Sequence, residues 1–164
     1  MLPNARPLAA ASLLLALAAC GPKPLPPAPA PVAPAPLDSA ALDRMSETTA
    51  RGIFDEGAAL ARQGRWREAE ARYRQAIATR PSEPTYPFAL AAALLSQQRV
   101  ADAAVAFKAG IDAEEAAPLP NHRLLAEDYE RYIQILTRAG RAEDIPAARD
   151  RQRYHREIRD AQLP

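Results

Sequence analysis

Trp66-Arg67-Glu68-Ala69-Glu70-Ala71-Arg72-Tyr73-Arg74-Gln75-Ala76-Ile77 is answered 34 residues later by Val100-Ala101-Asp102-Ala103-Ala104-Val105-Ala106-Phe107-Lys108-Ala109-Gly110-Ile111. Trp66 maps to Val100, Glu68 to Asp102, Ala69 to Ala103, Tyr73 to Phe107, Ala76 to Gly110 and Ile77 to Ile111, so residue class is kept through the stretch. Apolar residues three, four and seven apart line one face of a helix, and both copies carry that spacing. The same shift relates Gly57 to Ala91 and Leu60 to Leu94 upstream, so the repeated unit is a pair of helices. A period in this range, in a chain of 164 residues, predicts stacked helical pairs in an all-α fold.

Working outward, Gln63-Gly64-Arg65 predicts the turn of the first pair and Gln98 replaces its glycine in the second. Pro84 and Pro87 are tolerable at the start of a helix only if both fall in its first turn. Ala116 to Pro120 breaks the period. Asn121 then caps a helix carrying Tyr129, Tyr132, Ile133 and Leu136 on one face, and Gly140 ends it. The mostly charged last helix, from about Glu143 to Ala161, reads as the polar end a stack needs, with Ile145, Tyr154 and Ile158 as its apolar contacts. On the other side, Asp38 caps a helix whose Leu42 and Met45 precede the first pair. Trp66 reads as a packing residue.

These residues resemble the tetratricopeptide repeat (TPR). The first unit, about 48–81, matches well: Gly57 and Leu60 on the first helix, Ala69, Tyr73 and Ala76 on the second, and Pro81 at the close. The second, about 82–115, departs at Gln98, Gly110 and Glu115. The third, about 121–161, is a weak match. The resemblance implies a short α-solenoid of about three helix-turn-helix hairpins over 38–164. It also implies a concave groove for a protein or peptide, lined by the first helix of each hairpin. Carried over, its positions include Arg51, Phe54 and Arg62, then Phe88 and Leu95, then Gln134 and Arg138. Phe54 and Phe88, one period apart, are expected side by side as a clamp for an apolar side chain, with arginines at the rim. The alternative is that both are covered by neighbouring helices.

The first 37 residues read differently. Arg6 precedes a run from Leu8 to Ala19 that is almost wholly apolar, of h-region length and too short to span a bilayer. Leu17-Ala18-Ala19-Cys20-Gly21 resembles the lipobox of bacterial lipoproteins. That resemblance implies removal of residues 1–19, diacylglycerol and acyl chains on Cys20, and a place in the cell envelope. Gly21 after the cysteine favours the outer membrane, facing the periplasm. Cys20 is the sole cysteine, so the chain offers it no disulfide partner. Eight of the fifteen residues from Pro22 to Pro36 are proline, which predicts a disordered, extended tether over 20–37.

Chemistry is thin. Two of the 21 basic residues, Arg6 and Lys23, precede residue 38, leaving 19 against 20 acidic groups in the repeat region. That balance does not suit nucleic acid. His122 and His155 lie on different predicted helices with no ligand partner in helical reach, so no metal site is expected. Ser39, Ser46, Ser82 and Ser96 read as caps or surface residues rather than nucleophiles. The carboxylates of Glu68-Ala69-Glu70-Ala71-Arg72 read as a solvated face. The expectation is a lipid-anchored adaptor or scaffold of envelope, pilus or secretion assembly. It has no enzymatic activity and no cofactor beyond the lipid on Cys20. The alternative is a carrier holding a lipid or small apolar ligand between hairpins, in a closed pocket.

Overall fold

Six helices follow one another in a computed structural model that describes residues 39–161. The expected signal peptide, the lipidation at Cys20, the expected tether and the Asp38 cap all fall outside the described residues. The helices are α1 (Ser39–Arg62), α2 (Trp66–Thr79), α3 (Thr85–Ser96), α4 (Val100–Glu115), α5 (His122–Ala139) and α6 (Ile145–Ala161). One turn of 3₁₀ helix, Ala142–Asp144, precedes α6. No strand occurs among the described residues, and each helix packs chiefly on its neighbours in the chain. None of the described helices is long and apolar enough to cross a membrane.

The turns inside the three helix pairs share one geometry. The Gly64 N–H donates to Ala61 O and the Arg65 N–H to Leu60 O; Gln98 and Arg99 do the same to Leu95 and Leu94, and Gly140 and Arg141 to Thr137 and Leu136. This is the Schellman arrangement, which satisfies the last carbonyls of a helix and requires a left-handed residue. Gly64, Gln98 and Gly140 have φ of 74°, 62° and 71°. Arg65, Arg99 and Arg141 follow, and each pairs with an acid three residues on: Glu68, Asp102 and Asp144. The departure at Gln98 therefore leaves the turn unchanged, at the steric cost a side chain meets in that region.

Aromatic rings fill the pairs where glycine makes room. A Cβ on Gly57 would stand 2.8 Å from the Tyr73 ring, and one on Gly110 would stand 2.6 Å from the Phe88 ring. The glycine lies on the first helix of one pair and on the second helix of the next. The departure at Gly110 thus accommodates a ring from the opposite side. Ala69, Tyr73, Leu90, Leu94 and Ala103 form one buried cluster, on which Trp66 packs. Ile111, Leu125, Tyr129, Tyr132 and Leu136 form another. Ala50, Ala76 and Tyr86 join the first three helices. Pro84 immediately precedes α3 and Pro87 is its third residue, so neither ring removes an interior hydrogen bond. Asn121 Oδ1 accepts from the Leu124 N–H at 3.2 Å, capping α5. Ser46 Oγ donates to Thr79 O and Ser96 Oγ to Ala92 O.

Two expectations need correction. Tyr154 is 46% exposed rather than buried among apolar residues: its ring lies edge-on to His155 at 5.1 Å, with the Arg151 guanidinium 4.9 Å from its centroid. The buried stripe of α6 is Ala148, Gln152 and His155, mostly polar and so invisible to a hydrophobic pattern. Glu70 is buried at 5% exposure and not on a solvated face. Its carboxylate accepts from Gln97 Nε2 at 2.8 Å and Arg99 Nη1 at 2.8 Å, and pairs with Arg74 at 2.5 Å. Burial alone would raise this carboxyl, but the Gln97 and Arg99 hydrogen bonds and the two arginine charges hold it below its ordinary range. It ties α2 to the turn between α3 and α4.

Candidate functional site

Two places gather the residues of interest. The first is a cavity of about 270 Å³ lined by Glu47, Arg51, Phe54 and Asp55 of α1, Arg80 and Glu83 of the following loop, and Thr85 and Tyr86 of α3. Phe54 and Tyr86 stack with centroids 5.1 Å apart, and Phe54 also tilts against Tyr73 at 5.5 Å. Arg51 is exposed, and Arg80 reaches Glu47 at 3.4 Å. The floor is aromatic and the rim carries both signs of charge.

Of the remaining predicted groove residues, Phe88 is half-buried and tilts against Phe107 at 4.8 Å, over Gly110. The two phenylalanines thus have different ring partners. Leu95 is half-buried and packs on both of the larger clusters. Arg62 and Arg138 are exposed near the ends of α1 and α5. Gln134 lines a separate depression of about 440 Å³ with Glu130, Arg131, Arg156 and Arg159, between α5 and α6. The structure therefore brings Arg51 and Phe54 into one cavity and Gln134 into another.

The second place was not visible in the sequence. Glu115 at the end of α4 meets Tyr129 of α5 and Arg151 and His155 of α6. Its Oε1 accepts from Tyr129 Oη at 2.9 Å, from Arg151 Nη2 at 2.8 Å and from His155 Nε2 at 2.9 Å. His155 is 2% exposed, and its Nδ1 lies 2.8 Å from Nδ1 of the half-buried His122. Burial would raise the Glu115 carboxyl, yet the hydrogen bonds from His155, Arg151 and Tyr129, with the Arg151 charge, hold it low. Burial first, with the Glu115 hydrogen bond and charge, pushes the Tyr129 phenol up to about 12 despite Arg151. An ionised Glu115 only accepts, so His155 carries a hydrogen on Nε2; when both rings are neutral its Nδ1 is then a lone pair that accepts from the His122 Nδ1–H.

Neither histidine has a partner within helical reach along the chain, but the packing of α5 on α6 brings the two together. His122 precedes Gly140 by 18 residues and His155 follows it by 15, so an antiparallel pair brings them level. That near-symmetry about the turn glycine is the signal that could have found them. Beside them Glu114 pairs with Asp128 of α5. Burial, and then the Asp128 charge and hydrogen bond, push the Glu114 carboxyl up to about 7. Among the described residues no group of three or more His, Cys, Asp or Glu could hold a metal ion. Compared with known proteins, the chain matches no protein-family model and no curated protein sequence.

Proposed function

We propose that this chain is a lipid-anchored, periplasm-facing adaptor whose helix pairs form three tetratricopeptide-type hairpins and receive a protein or peptide beside α1 and α3. The recurrence of one turn geometry at Gly64, Gln98 and Gly140 supports the hairpin reading. The observation that carries the binding site is the cavity at Arg51, Phe54, Thr85 and Tyr86. An aromatic floor with a mixed-charge rim suits a peptide better than a phosphate or a metal. On this reading Cys20 bears the acyl chains, residues 20–37 are the tether, and the lipid raises the effective concentration of a partner at the same outer membrane. Neither the binding step nor the anchor needs catalysis.

A photo-crosslinking residue at position 51, compared in cells with one at position 153 on the exposed face of α6, tests the cavity. A discrete adduct from 51, competed away by untagged protein and absent from 153, is expected. Equal labelling from both positions counts against the site. For the anchor, Cys20→Ala is expected to take up no labelled fatty acid and to leave the membrane fraction.

A further inference from the structure

The Nδ1 atoms of His122 and His155 are 2.8 Å apart, close enough for one hydrogen between them and too close for two. The neutral pair places that hydrogen on His122. One added proton leaves the contact intact whichever ring carries the charge, because a single hydrogen still lies between the two Nδ1 atoms. A second puts a hydrogen on each Nδ1. It sets two N–H groups and two cations face to face where water is scarce. His155 cannot turn away without surrendering its bond to Glu115.

The groups facing the pair are few. From α4 comes Glu115, with Glu114 beside it. From α5 come His122 itself, Tyr129, and Asp128 paired with Glu114. From α6 come Arg151 and Tyr154. Glu115 is the one anion in direct contact, and it already serves Arg151 and Tyr129. Its charge supports one imidazolium and not two. Beyond Gln152 the one fully buried residue of α6 is His155, with Ile158 half-buried, while Ala148 and Ile145 anchor the first half on the second cluster. The other ties of that end are Gln152 Nε2, 2.6 Å from Glu130 and 3.4 Å from the Ala126 carbonyl oxygen, and Arg156, 3.3 Å from Glu130; the Glu130 carboxylate is exposed, and its pair with Arg156 holds weakly.

We propose that the His122–His155 pair is a proton-operated latch: with at most one added proton it holds the C-terminal half of α6, residues 152–161, against α4 and α5, and a second proton frees that half. The sign follows from linkage. The opened state binds the second proton better than the closed one, so closure is strong at high pH and is lost as pH falls. Imidazole is the side chain whose ordinary titration lies between pH 5 and 8, which sets the range to search.

The test is hydrogen exchange on the full chain from pH 8 to pH 5 with chelator present, reading protection factors for residues 152–161 against those of α2. Protection of 152–161 is expected to fall by up to about tenfold per pH unit once the second proton binds, with α2 unchanged. His122→Gln keeps a donor for His155 without a second charge and is expected to abolish the fall. A flat profile in the wild-type protein, or the same fall in His122→Gln, would overturn the latch. So would a profile that shifts when Zn²⁺ replaces chelator, since a metal and not a proton would then govern the pair. Imidazole nitrogen shifts of the wild-type protein test it without a variant. At pH 8 His155 is expected to be protonated at Nε2 and His122 at Nδ1. Two doubly protonated rings with α6 still protected would refute the proposal.

Discussion

Glu114 has a free-energy consequence that its neighbours do not share. Its folded pKa of about 7 lies above the ordinary 4.5. The contribution of this carboxyl is therefore fully present below about pH 4.5 and lost as pH rises through about 7. Above that, two carboxylates face each other across α4 and α5. Glu114→Gln keeps a donor toward Asp128 at every pH, so urea midpoints of this variant are expected to fall less than those of the wild type between pH 5.5 and pH 8. An equal fall would show that the seam does not depend on the shared proton. The residue scale is also where sequence reading did worst. Glu70 looks like any carboxylate among arginines and Glu115 like any acid at a helix end, and what sets them apart is a set of partners on other helices. Local spacing reports which residues share a face but not which polar face meets a complementary one. His122 and His155 were hidden for the same reason.

At the scale of elements the sequence was far more legible. The 34-residue period fixes two helix pairs because hydrophobic spacing and turn chemistry agree over Gly57–Ile77 and Ala91–Ile111. Asn121 and Gly140 mark the ends of α5 because capping is local. Sequence did not show that Gln98 would adopt the left-handed conformation of Gly64, since glycine is the usual occupant of that region. The geometry is retained because Arg99, the next residue, is fastened to Glu70 and Asp102. Gln98→Gly removes the steric cost while adding chain entropy to the unfolded state. It is expected to stabilise the protein by up to about 1 kcal/mol, read as a rise in thermal midpoint. A fall would mean that the Gln98 side chain makes a contribution larger than its backbone strain.

For the molecule as a whole, the order of helices is the order of contacts. α1 packs on α2, α2 on α3, and so on to α6, and no described helix closes back on a distant one through a substantial interface. The all-helical class and the sequence of elements were readable, because such packing needs only information held within one period. Of the residues that the repeat pattern places on one wall, Arg51 and Phe54 share a cavity, while Phe88 and Leu95 pack on the interior clusters. Burial depends on the neighbouring pair, which a repeat pattern averages away. Nearest-neighbour packing also governs how the chain acquires its structure. Bringing distant segments together is the slow, entropically expensive part of folding, and here little of it is required. Refolding of residues 38–164 after stopped-flow dilution is expected within about milliseconds, as for other proteins rich in local contacts. A polypeptide delivered end-first through a narrow channel could then form each helix pair as it emerges, without waiting for the remainder to arrive.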